Sequence, residues 1–387
     1  MNSPDDSDVA LKLLHTADWH LGMRFPAFSE EHQRTLMRAR MDVLDNVFGA
    51  AESAGVDAVL CAGDLFDDPL PADAWWKGLL DKLKARDWSK RPVFLLPGNH
   101  DPFTDKSVWA DDHPFRRGLP DGVFVVDRDD FEAPLGEDGV LLAAPCRTRA
   151  GQTGLWKSLP RREDGDTRIR VGMIHGQTTD IEGFQNTFPI PADAAEDRGL
   201  DYLAIGDTHA FREVPPGAAV PTVYPSAPEP TKFGEVDAGY AALVFFPRGR
   251  RALLRRERVG RWRWVERTVR SVADLQALAA EGDLGTKVMR LHVDLDATPP
   301  EYEAVEQLLR TLGGTDATHG RVGVLQVDRS RLRLRTDDLE AAFDGLPEEL
   351  AAVVTRLQAQ AEAGGDEAEA AKRALYHLYR VVRGVDG

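Results

Sequence analysis

The sequence has little cysteine, no long apolar run and a shortage of positive charge. Only Cys61 and Cys146 occur among 387 residues, which excludes a disulfide framework or a cysteine metal site and favours a reducing compartment. No run approaches the roughly eighteen apolar residues of a membrane span, and the acidic start MNSPDDSD lacks the order of a signal peptide, so we expect a cytoplasmic protein. The formal charge of −16 argues mildly against a nucleic-acid partner, although a whole-chain sum can hide a basic face.

The length and the 42% hydrophobic content predict a globular protein of two or three domains. Residues 1–9 are expected to form a flexible tail. Beyond them, short apolar runs end in polar loops and alternate with helical patterns over 30–54 and 72–86, a rhythm typical of parallel α/β domains. Between 123 and 246 short strands dominate. We therefore predict an α/β domain of the four-layer type over 10–252, a two-sheet sandwich flanked by helices.

The C-terminal third has a different pattern. Residues 253–337 predict a small α+β domain, with strands near 288–295, 322–327 and 331–335 and a helix over 300–312. Residues 338–387 predict two amphipathic helices separated by Gly364-Gly365. The apolar stripes of these helices fit either packing on the body or binding of a partner, and the sequence leaves both open.

Polar motifs follow the predicted strands in a fixed order. Their residues are Asp18, His20, Asp64, Asp67, Asn99, His100, Asp101, His175, Asp207 and His209. Each motif alone also fits a polar turn, but loops after the carboxyl ends of strands converge on one edge of a sheet. Asp, His and Asn without cysteine suit Mn²⁺, Fe²⁺ or Zn²⁺, and two such ions are a common arrangement for hydrolysing phosphate esters. The sequence therefore predicts a metal site at strand-end loops.

This series resembles the motifs of the calcineurin-like metallophosphoesterases. The matching pieces are Asp18-x-His20, Gly63-Asp64-x-x-Asp67, Gly98-Asn99-His100-Asp101, His175-Gly176 and Gly206-Asp207-x-His209. Within the superfamily, LKLLHTADWHLG and YPSAPEPTKFGE are similar to the SbcD-type DNA repair nucleases, bacterial relatives of the meiotic recombination nuclease. The motifs cover residues 11–235, and the likeness weakens beyond about 270.

The resemblance implies two divalent metal ions. One would be held by Asp18, His20, Asp64 and His209, and the second by Asp64, Asn99, His175 and Asp207, with Asp64 bridging. Manganese is the expected metal, with iron, zinc and magnesium as alternatives. Asp207 stands where the family usually has histidine. A carboxylate oxygen is a harder ligand than an imidazole nitrogen, so the second position would prefer Mn²⁺ or Fe²⁺.

The resemblance also implies a catalytic role for His100. The family assigns its position to stabilising the transition state or protonating the leaving oxygen, for which an imidazole has a suitable pKa. Either Asp67 or Asp101 could orient this ring. The alternative for His100 is a structural residue that supports the ligands.

A basic stretch stands out in this acidic chain. Residues 248–270 contain ten arginines and two glutamates, a local charge of +8, with two tryptophans between them. Arginine binds phosphate and tryptophan stacks on bases, so the stretch predicts a nucleic-acid interface, unless it is the solvated face of an edge strand. The candidate contacts are Arg255, Arg256, Arg258, Arg261, Trp262 and Arg263.

Taken together, these features favour a two-metal-dependent DNA nuclease, an exonuclease, a single-strand endonuclease or both. The resemblance implies a role in DNA repair, a DNA-capping domain over 253–337, and an SbcC-type SMC-like ATPase that binds helices within 338–387. It also implies a homodimer, for which 30–54 and 72–88 could form the interface, and a nucleoid-associated location. The alternatives are a small-nucleotide phosphodiesterase or phosphoprotein phosphatase, and a weakly active metal-bound scaffold.

Overall fold

The structure is a computed structural model that describes residues 8–179, 187–249, 251–315, 318–335, 343, 346–363 and 366–382. Its strands and helices are, in chain order, β1 (Val9–Thr16), α1 (Glu30–Ala54), β2 (Ala58–Cys61), α2 (Asp73–Lys84), β3 (Val93–Leu95), α3 (Pro114–Arg117), β4 (Val123–Val125), β5 (Phe131–Leu135), β6 (Gly139–Ala143), β7 (Ile169–His175), β8 (Gln177–Thr178), β9 (Pro189–Ile190), α4 (Ala194–Asp197), β10 (Tyr202–Gly206), β11 (Phe211–Val214), β12 (Thr222–Pro225), β13 (Tyr240–Pro247), β14 (Leu253–Arg258), β15 (Arg263–Val269), α5 (Val272–Ala280), β16 (Lys287–Ala297), α6 (Pro299–Gly313), β17 (Gly314–Thr315), β18 (Thr318–His319), β19 (Val324–Leu334), α7 (Glu348–Glu362) and α8 (Asp366–Val382). None of the helices in this part of the chain combines the length and apolar character that crossing a bilayer requires.

Two six-stranded mixed sheets form the N-terminal part. The first has the order β14-β13-β1-β2-β3-β4, in which β1 to β4 run parallel while β13 and β14 are antiparallel additions. The second has the order β11-β12-β10-β7-β6-β5, with β12, β10, β7 and β6 parallel and an antiparallel strand at each edge. Each sheet therefore directs several strand ends to a common edge.

The two sheets pack face to face and helices cover their outer faces. Leu13 and Leu60 of the first sheet share one core with Met173 and Tyr202 of the second. A second core joins the first sheet to α1 and α2, and a third lies against the outer face of the second sheet, with α4. This four-layer arrangement confirms the predicted fold class.

Helix α1 shows how the local sequence determines where a helix begins, where it ends and which face is buried. The Ser29 side chain accepts a hydrogen bond from the His32 amide at the N-terminus, and Gly55 ends the helix in the left-handed conformation (φ 59°). Its apolar positions, among them Leu44 and Phe48, fall on one face and are buried. The helix spans the predicted residues 30–54.

The chain divides into two compact units, residues 1–262 and 263–387. The division lies after the predicted boundary at 252, because Leu253–Arg258 pairs with β13 and completes the first sheet. The predicted boundary at 337/338, residues 1–7 of the predicted tail and Gly364-Gly365 lie outside the described residues.

In the second unit, β15, β16 and β19 form a parallel sheet in that order. Buried apolar residues of α5 and α6 pack against it, including Leu275 and Leu309, and α7 and α8 pack together around Leu375. The two strands predicted at 322–327 and 331–335 are one continuous strand, β19. Asp328 remains in register with His292, and Arg329 and Ser330 form a bulge opposite Val293 of β16 instead of a turn.

Two edge strands of the second sheet were not predicted from the sequence. They are β5 and β11, and both are short and partly exposed. The first of them contains Pro134, which is tolerated at a sheet edge but obscures a strand pattern.

Candidate metal centre

The predicted ligands lie at one edge of the sandwich. Asp18, Asp64 and Asn99 follow the carboxyl ends of β1, β2 and β3, while His175 ends β7 and Asp207 follows β10. Main-chain hydrogen bonds join the first two loops, from the Asp18 amide to the Gly63 carbonyl (3.0 Å) and from the His20 amide to the Asp64 carbonyl (2.9 Å). Loops that are distant in sequence therefore meet, as the strand order requires.

The backbone of these loops is strained. Asp18, His20, Asp64 and Asp207 have positive φ angles of 56°, 45°, 54° and 107°. Non-glycine residues adopt such conformations at a cost of about 1–3 kcal/mol each, and they cluster at functional sites where the surroundings hold them.

Gly98 is required because Asp64 approaches its backbone closely. A Cβ atom at Gly98 would lie 2.2 Å from Asp64 Oδ1 and 2.3 Å from the Asp64 nitrogen. The glycine therefore admits the Asp64 carboxylate to the centre of the site.

Three histidines share one orientation. Their Nδ1 atoms donate outward: His175 to the Ala62 carbonyl (2.9 Å), His20 to Asp67 Oδ1 (3.3 Å) and His209 to Glu235 Oε1 (2.8 Å). Such outer partners fix the ring and its tautomer, which leaves a lone pair on each Nε2 of the neutral rings.

The inward atoms are close to one another. His20 Nε2 and His209 Nε2 are 3.1 Å apart, and His175 Nε2 lies 2.8 Å from Asn99 Oδ1 and 3.4 Å from Asp64 Oδ2. Asp64 Oδ2 is also 3.8 Å from His20 Nε2. Lone pairs at these separations repel each other unless a cation or a proton lies between them.

Three overlapping groups of donor atoms result: two share Asp18, and the third is formed by His20, Asp67 and His100. Asp18, His20 and His209 have donor atoms within 4.8 Å of one another, and so do Asp18, Asp64 and His175. Asp207 Oδ1 lies 4.0 Å from His175 Nε2, beside the second group. This mixture of carboxylate oxygens and imidazole nitrogens fits divalent cations of hard-to-borderline character.

The electrostatics agree with that fit. Burial raises the pKa of Asp18 to about 6, and the neighbouring Asp64 carboxylate adds to the rise. Burial opposes protonation of His175, but the charge of Asp64 and its hydrogen bond raise the pKa of His175 to about 10. The site therefore favours positive charge beside Asp64, which a divalent cation would supply.

His100 stands at the mouth of the site, with its side chain 38% exposed. Its Nδ1 lies 3.3 Å from Asp67 Oδ1, and this carboxylate raises the pKa of His100 to about 9. Asp101 does not face the ring, because its oxygens accept the amides of Gly98 (2.8 Å) and Phe66 (3.0 Å). Of the two carboxylates suggested by the sequence, Asp67 is the one beside His100.

The predicted nucleic-acid residues differ in their exposure and in their contacts. Trp262 is 3% exposed, and Arg258 donates to the carbonyls of Ala238, Gly260 and Trp262. Arg255 and Arg256 alternate across β14, where they lie over the rings of Phe245 and Phe211.

Four of the six predicted contacts are exposed, namely Arg256, Arg258, Arg261 and Arg263. Arg261 lies over the Trp262 ring at 4.8 Å, and Arg263, in the second unit, is paired with Asp283 at 3.5 Å. The predicted residues thus differ in role: some support the fold and others remain available to solvent.

Four residues near the site were missed by sequence reasoning. Thr231 and Glu235 contact His209 Nδ1, and Arg40 and Glu229 support the loops behind it. The segment YPSAPEPTKFGE contains three of them, so its similarity to one nuclease subfamily was the available signal.

Curated relatives match over much of the chain at modest identity. The chain is 27% identical over 282 residues to the SbcD subunit of the nuclease SbcCD of Escherichia coli strain K12, covering 62% of this chain and 66% of that protein. It is 27% identical over 245 residues to "DNA double-strand break repair protein Mre11" of Aeropyrum pernix (58% and 55%). It is 26% identical over 243 residues to "Uncharacterized metallophosphoesterase YhaO" of Bacillus subtilis (59% and 56%). Each match spans less than two thirds of the relative's own length.

A family comparison covers the site itself. The family model described as "Calcineurin-like phosphoesterase" matches residues 11–211, more than half of the chain. That segment runs from β1 to the first residue of β11, so it contains every strand end that carries a predicted ligand. The chemistry of this family is metal-dependent hydrolysis of phosphoester bonds. The chain belongs to the calcineurin-like phosphoesterase family.

Proposed function

We propose that this protein is a metal-dependent DNA nuclease that hydrolyses phosphodiester bonds at DNA ends, in single strands or in both. The observation that carries the proposal is the pair of overlapping donor groups around Asp18 and Asp64, with the half-exposed His100 beside them. The two relatives named as a nuclease component and a DNA repair protein support DNA as the substrate.

The proposed ligand sets share Asp64, whereas two of the donor groups share Asp18. Asp18, His20, Asp64 and His209 would hold one ion, and Asp64, Asn99, His175 and Asp207 the other. Such ions, when bound, supply activation of a water molecule and neutralisation of phosphate charge. The oxygen-rich second set favours manganese or iron.

The chain's own residues would orient the substrate and move a proton. His100 is accessible and its Nδ1 faces Asp67, so its Nε2 would donate the proton to the leaving oxygen. The Asp64 carboxylate accepts the His100 amide at 2.8 Å, which ties the ring's backbone to the metal ligands. In this proposal His100 would act on the phosphate without being a metal ligand.

The proposed partners rest on other surfaces. An SbcC-type ATPase would bind the C-terminal helices, where Leu350, Val353 and Val381 are 40%, 47% and 64% exposed. Exposed arginines of the predicted set, such as Arg256 and Arg261, would contact DNA phosphates. A homodimer would use α1 and α2. These partners agree with a repair role in the nucleoid.

The test compares two substrates and two variants. With Mn²⁺, the protein should cleave labelled single- or double-stranded DNA and a chromogenic phosphodiester. Asp64→Asn should abolish both activities, whereas Asp121→Asn, at an exposed loop carboxylate, should leave them unchanged. Activity of Asp64→Asn above about a tenth of wild type would contradict the site. Hydrolysis of the small diester without cleavage of DNA would favour the small-nucleotide phosphodiesterase.

A further inference from the structure

Arg40 is a buried cation behind the candidate metal centre. It lies on α1 with 2% exposure. Its guanidinium donates to four main-chain carbonyls: Trp19 (3.0 Å), Glu229 (3.1 Å), Pro230 (3.2 Å) and Asp18 (3.4 Å). A guanidinium is suited to this because its planar fork presents several donors in fixed directions.

These carbonyls belong to two loops that both carry parts of the site. Asp18 is a proposed ligand whose backbone is held at φ 56°. The loop of Glu229 and Pro230 continues to Thr231 and Glu235, whose side chains contact His209 Nδ1 at 3.0 Å and 2.8 Å. Arg40 therefore connects the loop of one ligand to the loop that orients another.

The second loop is anchored from its other side as well. The Glu229 carboxylate accepts the amides of Arg261 (2.6 Å) and Trp262 (3.1 Å). Glu229 itself is 3% exposed. The main-chain carbonyl of Glu229 accepts a hydrogen bond from Arg40, and its carboxylate accepts two from the last residues of the first unit. The loop is therefore held from both sides.

We propose that Arg40 is a positioning residue for the metal position formed by Asp18, His20 and His209. The inference rests on the proposed function only in that a divalent cation binds there. The direction in which metal affinity changes when Arg40 is replaced distinguishes a geometric role from an electrostatic one. A buried positive charge repels a nearby cation, so deleting it would tighten metal binding if charge were its only effect. If Arg40 holds the two loops in register, its deletion weakens metal binding.

The experiment measures Mn²⁺ binding by calorimetry on the metal-free full-length protein. Arg40→Met and Arg40→Lys should each weaken one of the two Mn²⁺ positions by roughly 10- to 100-fold, the usual effect of removing an outer support. Lysine keeps the positive charge but lacks the planar set of donors of a guanidinium. Weaker Mn²⁺ binding by Arg40→Lys would therefore assign the effect to geometry. If the methionine variant does not fold, the lysine variant decides alone.

Arg170→Met is the matched control. Arg170 is also a buried arginine, 3% exposed, with main-chain acceptors at Pro160 and Arg198. It lies near the start of β7, whereas His175 lies at the end. Its replacement should lower thermal stability and leave Mn²⁺ affinity unchanged. Unchanged or tighter Mn²⁺ binding in the Arg40 variants would overturn the proposal.

Hydrogen exchange gives a readout that needs no metal. The amides of Asp18 and His20 are bonded to Gly63 and Asp64, and they should exchange faster in Arg40→Lys than in wild type or Arg170→Met. Equal exchange would count against the positioning role. Absence of Mn²⁺ binding in wild type would refute the proposed function, while the exchange comparison would still decide the role of Arg40.

Discussion

Replacing Gly98 by alanine tests whether the Asp64 carboxylate must lie as close to the backbone of residue 98 as it does in the structure. The added Cβ would lie 2.2 Å from Asp64 Oδ1, whereas real Cβ contacts essentially never fall below 3.0 Å. The two atoms must therefore separate by about 0.8 Å. Asp64 Oδ1 also accepts the His100 amide at 2.8 Å, so any shift of the carboxylate disturbs the neighbouring loop.

A displacement near 1 Å in a catalytic group costs roughly 10²-fold in rate. Gly98→Ala should therefore lower kcat/KM for a chromogenic phosphodiester by about two orders of magnitude in Mn²⁺. Overpacking should also lower the free energy of unfolding by about 1–3 kcal/mol. Initial rates and denaturant titrations measure the two effects separately.

Gly139→Ala is the control for overpacking. Its Cβ would lie 2.8 Å from the Leu135 carbonyl and 2.9 Å from Leu11, at the start of β6 and away from the ligand loops. This variant should lose stability and keep its rate per folded molecule. A Gly98→Ala enzyme within about three-fold of the wild-type kcat/KM would refute the reasoning, because Asp64 could then move without consequence.

Three further predictions follow from single residues. His100→Ser should keep its bound Mn²⁺, measured by metal analysis, while kcat falls roughly 10²-fold; loss of the ions would make His100 a ligand instead. Asp207→Ala should reduce occupancy of one metal position and Asp207→His should retain activity, and full occupancy in the alanine variant would show that Asp207 is not a ligand. Burial lowers the pKa of His15 to about 3, so the unfolded chain takes up a proton that the folded chain does not as the pH falls below the ordinary value of 6.5. Between pH 7 and 5, wild type should therefore lose about 2 kcal/mol more unfolding free energy than His15→Asn in urea titrations; equal losses would contradict this.

The sequence by itself determined the order and chemical type of the candidate ligands. Each follows an apolar run, and the ends of parallel strands share a sheet edge, so Asp18, Asp64 and Asn99 were expected to meet. The same alternation of strands and helices predicted the two-sheet sandwich. Local spacing was sufficient to predict that these residues meet. The hydrophobic pattern indicates parallel strands, and parallel strands place the loops after their carboxyl ends at the same sheet edge.

The tertiary structure decided which way each side chain faces and what supports it. Asp67 rather than Asp101 lies beside His100, His209 is oriented by Glu235, and Trp262 is buried instead of offering a stacking surface. Arg40, one of many charged residues in a helical pattern, became significant only through four carbonyls from two loops. A side chain's direction and burial depend on partners that are distant in sequence, and residue type and spacing do not record those partners.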